Sequence, residues 1–157
     1  MDDLDRKILA ALQNNGRVSN AELAREFGVA PSTMLERIRR LEENGVICGY
    51  RALIDPEAVG LNVQGFVSVT LYRHETDYIH SFEEGIKKIP EVRACYHVTG
   101  RFDYLLHVPA RNLDHLGELI KEKISSISGI GKVETFLVFS EVKRDHGWPI
   151  EQSKNIT

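Results

Sequence analysis

The chain of 157 residues contains no long hydrophobic run. No apolar stretch approaches the roughly 20 residues that a helix needs to cross a membrane. Residues 1–5 are acidic, unlike the start of a signal peptide. Cysteine is also scarce, because only Cys48 and Cys95 are present and their spacing matches neither a metal motif nor a redox motif. These absences predict a cytoplasmic protein with free thiols.

An excess of positive charge is missing as well, since the formal net charge is -3. Proteins that bind polyanions indiscriminately usually carry a basic surplus. Residues 1–55 contain eight Lys and Arg against nine Asp and Glu, which leaves this segment at -1. A nucleic-acid contact made by this segment would therefore need a local cluster of cations, and one isolated segment would bind weakly and in a salt-sensitive way.

What the chain does contain is a hydrophobic fraction of 42%, ample for one folded core or two small ones. Two short helices joined by a tight turn are predicted early in the sequence. Ser19 and Glu22 form a capping box that starts the first helix, and Gly28 breaks it. Pro31 suits the first turn of the second helix, and Gly45 supplies a left-handed stop.

The second of these helices is predicted to be amphipathic. Its apolar residues recur at helical spacing and are Met34, Leu35, Ile38 and Leu41. Its polar side carries Ser32, Glu36, Arg39 and Arg40, and Thr33 and Arg37 lie on the flanks; these six are the candidate DNA-binding residues. Arg37, Arg39 and Arg40 are clustered, and the prediction is that Asp2, Asp3 and Asp5 can lie on the far side of this segment, away from them. With a preceding helix from Leu4 to Leu12, the pattern is typical of a helix-turn-helix that enters the DNA major groove, although a helical hairpin with a solvated charged face gives the same spacing.

Beyond Gly45 the pattern changes from helical to alternating. Residues 46–54 are predicted to form a strand, either a wing or a hinge. The later elements follow a βαββαβ order: a strand at 63–72, a helix at 78–89, strands at 92–98 and 102–108, a helix at 112–127 and a strand at 133–140. This order predicts a four-stranded antiparallel sheet with helices on one face, the ferredoxin-like plan, and an α+β protein overall.

Such a sheet leaves its other face without cover. Candidates for that face are Phe66, Tyr72, Cys95, Leu105, Phe136 and Val138. An open, partly apolar face of this size should find a partner, and a two-fold dimer is the simplest closed solution. The same symmetry suits a DNA reader, because paired heads can address paired half-sites.

Several short motifs occur in a distinctive order along residues 2–150. They are Leu4-Asp5, Asn15-Gly16-Arg17, Glu22-Leu23-Ala24, Arg37-Ile38-Arg39-Arg40-Leu41-Glu42, Gly45-Val46-Ile47, Gly49-Tyr50, Leu53-Ile54-Asp55, Pro90-Glu91-Val92, the segment 98–106, Lys143-Arg144 and Trp148-Pro149-Ile150. In this order and spacing the chain resembles the Lrp/AsnC family of bacterial and archaeal feast/famine regulators.

The resemblance implies a winged helix-turn-helix joined to a ligand-sensing domain of the RAM type. It also implies homodimers that assemble further, often four into an octamer, and amino acids or related small metabolites as effectors. Residues 1–46 would be the DNA-binding domain, 47–61 the hinge strand and linker, 62–142 the RAM domain and 143–157 a C-terminal tail. One departure is Ala30, where the family commonly has a capping Ser or Thr; losing that cap should cost about 1 kcal/mol.

By the same resemblance, the turn between the two central strands forms part of an effector cleft between dimers. An amino acid needs an anion for its ammonium, which Asp103 offers, and donors for its carboxylate, which Arg101 or the backbone near Gly100 offers. The candidate effector residues are Thr99, Gly100, Arg101, Phe102, Asp103 and Thr135. The alternative is that Gly100 only permits the turn and Asp103 only ties it down.

Two other functions and one metal site match parts of the sequence. Some haem-pathway decarboxylases combine a similar head with a RAM-like domain, and a metabolite-binding module without DNA binding would also fit the pattern. A metal site at Cys95, His97 and His107 lacks a carboxylate and falls short of the four ligands of a closed site. The sequence therefore favours a regulator without a catalytic site, a metal or a resident cofactor.

Overall fold

The computed structural model describes residues 1–150, which divide into two compact units. One unit, here called the head, comprises residues 1–53 together with 143–150. The other, the sheet unit, comprises residues 54–142. Within these 150 residues no helix has the length and apolar character needed to cross a membrane. The last seven residues of the predicted tail, 151–157, lie outside the described part.

The predicted helix-turn-helix is confirmed in the head. Its helices are α1 (Asp3–Asn14), α2 (Asn20–Phe27) and α3 (Pro31–Glu43). They pack through one small core, which consists of Ile8, Leu23, Ala24, Met34, Ile38 and Leu41. The prediction that Leu35 lies on the apolar side of α3 with Met34 and Ile38 is wrong, because its side chain is 55% exposed. Each helical residue turns about 100°, so Leu35 lies outside the stripe that Met34 and Ile38 bury.

The ends of these helices follow from local chemistry. Ser19 and Glu22 exchange both hydrogen bonds of the predicted capping box, at 3.2 and 2.8 Å. Ala30 caps α3 without a side-chain bond, and Pro31 at the first position removes one N–H that would otherwise need a partner. Gly28, at φ 67°, ends α2 in the left-handed conformation that glycine adopts without strain.

The strand predicted at 46–54 is not formed. Residues 46–47 belong to the turn after α3, and residues 48–54 run without regular secondary structure. The alternating pattern there is real, but a strand exists only where a second strand accepts its backbone hydrogen bonds. No strand among residues 1–150 pairs with this segment.

The sheet unit confirms the ferredoxin-like plan. Its elements are β1 (Val63–Leu71), α4 (Thr76–Lys87), β2 (Ala94–His97), β3 (Tyr104–Ala110), α5 (Leu113–Glu118), a π-helical turn at Leu119–Ile124, and β4 (Ile130–Leu137). The strands lie in the order β2-β3-β1-β4, and every neighbouring pair is antiparallel. The helix predicted over 112–127 is therefore α-helical only in its first part.

Register decides which side chains face the helices. Val67 lies opposite Leu106 on β3, and both belong to the core under α4 and α5. Phe66 lies opposite Phe136 on β4 and stacks on the His107 ring at 4.8 Å, on the open face. Cys95, a candidate for that face, instead pairs with Leu106 and packs against the core.

Candidate DNA-binding surface and effector turn

The exposed side of α3 is polar and densely charged. Ser32, Thr33, Glu36, Arg39 and Arg40 are all exposed, while Arg37 is partly buried. These residues share one side because Met34, Ile38 and Leu41 anchor the other side in the head core. A helix held in this way presents its polar residues as one ridge, the arrangement that a major-groove reader needs.

Arg39 is held by two carboxylates of its own helix. Its guanidinium makes a two-pronged contact with Glu36, at 3.0 and 3.2 Å, and a third bond of 2.7 Å to Glu43. The hydrogen bond from Arg39 lowers the pKa of Glu36, and the same bond raises the pKa of Arg39. The ridge therefore carries much less free positive charge than its arginine count suggests.

Arg37 and Arg40 reach across to the start of α1. Arg37 Nη1 lies 2.6 Å from a carboxylate oxygen of Asp2 and 2.8 Å from one of Asp5. Arg40 Nη2 lies 3.4 Å from the second oxygen of Asp5. The prediction that Asp2 and Asp5 lie on the far side is therefore wrong, because the first turn of α1 lies beside α3. Asp3 pairs with Lys7 along α1 at 3.0 Å.

Asp2 is also the cap of α1. Its carboxylate accepts the Asp5 N–H at 2.9 Å, while Asp5 accepts the Asp2 N–H at 3.0 Å. The Asp5 N–H is the largest cause that lowers the pKa of Asp2 to about 2, and the Arg37 guanidinium adds to it. This second capping box was not predicted from the sequence, although the acidic pair three residues apart before an apolar helix is its signal.

The turn between β2 and β3 is organised by Asp103. Its carboxylate accepts the Leu71 N–H at 2.8 Å and contacts His74 Nε2 at 2.9 Å. Its backbone N–H donates to Val69 O, and its carbonyl accepts the Val98 N–H, both at 2.9 Å. Asp103 thus ties the turn to the end of β1.

Two opposing effects act on the Asp103 carboxyl group. Burial is the largest single effect and raises its pKa, but the hydrogen bonds from Leu71 and His74, together with the electrostatic effects of His74 and His97, bring the pKa below its ordinary value. Asp103 is therefore ionised at neutral pH, as an anion for a ligand ammonium must be. Each carboxylate oxygen has two lone pairs, so a further donor can still be accepted.

The other candidate effector residues divide into two places. Thr99, Gly100 and Arg101 are exposed on the same turn as Asp103, and Phe102 is half-buried beside them. Gly100 has φ 130°, a conformation that other residues rarely adopt. Thr135 lies on β4 opposite Val67, so β1 separates it from the turn within one chain.

Sequence reasoning also missed the aromatic and histidine neighbours of this turn. His97 stacks on the Tyr104 ring at 4.6 Å, and Tyr104 OH donates to Glu83 at 2.8 Å. His74, which contacts Asp103, stands 29 positions earlier in the sequence. No local motif links such distant residues. Among residues 1–150, no three His, Cys, Asp or Glu side chains are arranged to hold a metal ion.

Comparison with known proteins accounts for both units. Residues 1–47 match the family model described as winged helix-turn-helix DNA-binding. Residues 64–148 match the model described as the Lrp/AsnC ligand binding domain. The leucine-responsive regulatory protein of Escherichia coli strain K12 is 37% identical over 146 residues, covering 93% of this chain and 89% of that protein. The protein of that name from Klebsiella pneumoniae matches to the same extent.

Solved structures agree with these sequence matches. A transcriptional regulator from Neisseria meningitidis in complex with L-Met superposes with a TM-score of 0.89 at 34% identity, covering 95% of this chain and 96% of that one. Escherichia coli AsnC superposes with a TM-score of 0.85 at 33% identity, covering 92% and 96%. The chain therefore belongs to the Lrp/AsnC family and is a ligand-responsive, helix-turn-helix transcriptional regulator rather than an enzyme.

Proposed function

We propose that this regulator binds a specific duplex DNA sequence through the exposed ridge of α3. The observation that carries the proposal is the grouping of Ser32, Thr33, Glu36, Arg39 and Arg40 on the side of α3 opposite its buried stripe. Their chemistry fits base readout, since an arginine fork pairs with guanine and a carboxylate accepts from cytosine. Arg39 already makes such a two-pronged contact with Glu36, which a guanine edge would replace.

A gel-shift assay with the duplex upstream of the protein's own coding sequence tests this proposal. Arg40→Ala should weaken binding several-fold without changing oligomer size, because one phosphate or base contact is lost. Lys121→Ala is the matched control, since it removes one exposed positive charge from the sheet unit. A wild-type protein that binds this duplex no better than a shuffled duplex of equal length, even at low salt, contradicts the proposal.

The effector we propose is an amino acid bound at the turn around Asp103. Two relatives support this choice, one named leucine-responsive and one solved with L-Met. The turn offers an ionised carboxylate at Asp103 for the ligand ammonium and the exposed Arg101 for its carboxylate. Backbone N–H groups near Gly100 supply further donors.

Thr135 joins this site only if two copies of the chain contribute to it. Because β1 lies between β4 and the turn, a pocket that includes Thr135 and Asp103 would take them from neighbouring subunits. This fits an effector bound between dimers. The open sheet face, with Phe66, Leu105 and the half-exposed Phe136, supplies the apolar surface for a two-fold dimer. We also propose that four such dimers assemble into an octamer and that the protein acts in the cytoplasm.

Titration with leucine, methionine and the other common amino acids tests the effector site, with DNA binding and molar mass as readouts. Asp103→Ala should abolish the response to the active amino acid while the dimer persists. Asp103→Asn is the sharper variant, because its amide oxygen can still accept the Leu71 N–H while the negative charge is lost. A wild-type response in Asp103→Asn would contradict an ammonium contact at this residue.

A further inference from the structure

The contact between α1 and α3 contains a charge that is almost entirely buried. Asp5 lies in the first turn of α1, and its side chain is only 2% exposed. A buried carboxylate is costly unless it is paired and hydrogen-bonded. Both carboxylate oxygens of Asp5 have partners, since one lies 2.8 Å from Arg37 Nη1 and the other accepts the Asp2 N–H at 3.0 Å.

Arg37 is the side chain that compensates this charge. Its Nη1 bridges Asp5 and Asp2, at 2.8 and 2.6 Å, and its side chain is only 25% exposed. The hydrogen bonds to Asp2 and Asp5 raise the pKa of Arg37, so it keeps its charge. One guanidinium therefore joins the capped start of α1 to the middle of α3.

Arg40 and Arg39 differ from Arg37 in this respect. Arg40 approaches Asp5 at only 3.4 Å, and its side chain is 54% exposed. Arg39 contacts only Glu36 and Glu43 of its own helix in the bonds described above, and it is 56% exposed. Arg39 pairs with no buried acid, and Arg40 can turn toward DNA while Arg37 still pairs with Asp5. Arg37 cannot turn away without removing the shortest ion pair of the buried Asp5.

We propose that Arg37 is a positioning residue, which fixes the placement of α3 on α1 through Asp5 and does not itself contact DNA. This inference rests on the proposed DNA-binding role of α3. Base readout needs hydrogen-bond geometry, so a helix displaced on its support loses its contacts even when each contacting side chain is intact. Arg37 thus acts on recognition through the residues that surround it on the ridge.

A double-mutant cycle on the full chain tests the assignment. Arg37→Met leaves Asp5 buried without its cation, and it should lower the melting temperature of the head by more than about 10 °C. The same variant should weaken specific DNA binding by about tenfold or more, since at least one bidentate base contact is misaligned. Adding Asp5→Leu, whose side chain has the branched shape of aspartate, should restore most of both losses.

Asp5→Leu alone is the matched control. It also releases Arg40 from its contact with Asp5, so any gain that comes from a freer Arg40 appears in this single variant. The coupling between positions 5 and 37 is therefore the decisive quantity, and not the affinity of the double variant by itself. If the double variant, which has no guanidinium at position 37, recovers DNA binding, then the loss seen in Arg37→Met is not due to a lost contact between Arg37 and DNA.

Salt dependence provides a second readout. A residue that neutralises a phosphate reduces the slope of log affinity against log salt by about 0.9 per head when it is removed. We expect that reduction for Arg40→Ala and an unchanged slope for the Asp5→Leu/Arg37→Met variant, compared with Asp5→Leu.

Two results overturn the inference while the proposed function stands. One is a double variant that binds DNA as weakly as Arg37→Met while its melting temperature recovers. The other is a salt slope of the Asp5→Leu/Arg37→Met variant that falls, relative to Asp5→Leu, by the amount expected for a lost phosphate contact. A wild-type protein without preference for any duplex overturns the proposed function itself, and the inference with it.

Discussion

The head and the sheet unit use different kinds of contact to fix the positions of their candidate binding surfaces. In the head, the ridge of α3 is placed by ion pairs between side chains, above all Arg37 with Asp2 and Asp5. In the sheet unit, the turn at Asp103 is placed mainly by backbone groups of β1, through Leu71 and Val69. A backbone network is set by the fold and tolerates changes in side-chain charge. A side-chain network fails when one charge is removed.

The sizes of the two cores explain part of this difference. The head core has six buried hydrophobic residues, whereas the sheet unit has twelve. A small core buries less apolar area and leaves the helix positions more dependent on individual contacts. The head is therefore the unit in which single substitutions should have the largest consequences.

The largest effect is expected from Ile8→Ala in the head core. Ile8 is fully buried, and its truncation should cost about 2–5 kcal/mol, enough to abolish DNA binding. Because Ile8 belongs to the head core alone, the proposed dimer should persist in size-exclusion chromatography with light scattering. Leu35→Ala is the control, since the exposed Leu35 should change stability by less than about 0.5 kcal/mol. Dissociation of the proposed dimer by Ile8→Ala would show that its assembly depends on the head core.

A smaller effect is expected when the acids around Arg39 are neutralised. Glu36→Gln and Glu43→Gln should each raise affinity for unrelated duplex DNA several-fold, because positive charge on α3 is released. Only Glu36→Gln should also lower the ratio of specific to unrelated binding, since Glu36 lies on the proposed reading ridge. If competition gel shifts give the two variants equal ratios of specific to unrelated binding, then Glu36 takes no part in base readout.

Acid should weaken the head through Asp2. The folded pKa of Asp2 is about 2, below its ordinary value of 3.8, so its stabilising contribution is present above pH 3.8 and is lost as pH falls toward 2. Asp2→Asn should therefore flatten the decline in head stability over this interval, as followed by circular dichroism during acid unfolding. A decline as steep as that of the wild type would show that Asp2 makes no such contribution.

The smallest effect concerns the tail segment that belongs to the head. The Gln13 side chain accepts the Trp148 N–H at 2.7 Å and donates to the Trp148 carbonyl at 2.9 Å. Gly147 precedes Trp148 and has a backbone φ of 94°. A Cβ on Gly147 would lie 2.8 Å from Gln13 Cδ, so Gly147→Ala should displace the tail and change the fluorescence of the only tryptophan. Gly117→Ala, which meets open space in α5, should leave the spectrum unchanged.

Much of the fold was predictable because its signals are local. The capping box at Ser19 and the stop at Gly28 depend only on neighbouring residues, and both appear as expected. In β1, Val67, Val69 and Leu71 alternate toward the core as expected of an alternating strand, although Ser68 is buried as well. The failures at Leu35 and at residues 46–54 have physical reasons. An apolar residue can stand beside the buried stripe, and a strand-like sequence needs a partner strand.

The residues of the candidate ridge and turn can be named from the sequence, and their binding roles stay predictions. The ridge of α3 and the turn at Asp103 were both identified from the sequence. Their partners, Asp5 for Arg37 and His74 for Asp103, stand about thirty positions away along the chain. No periodicity or spacing rule joins such pairs, because only the packing of the elements brings them together.

The sequence by itself determined most of the helices and strands, the capping box at Ser19 and the family to which the chain belongs, since these follow from local patterns and from the order of short motifs. Tertiary structure decided that Arg37 is bound to acids of α1, that Asp103 is latched to β1, and that Thr135 lies across the sheet from the turn. Those decisions come from strand order and helix packing, which set the distances between charges that the chain itself keeps far apart.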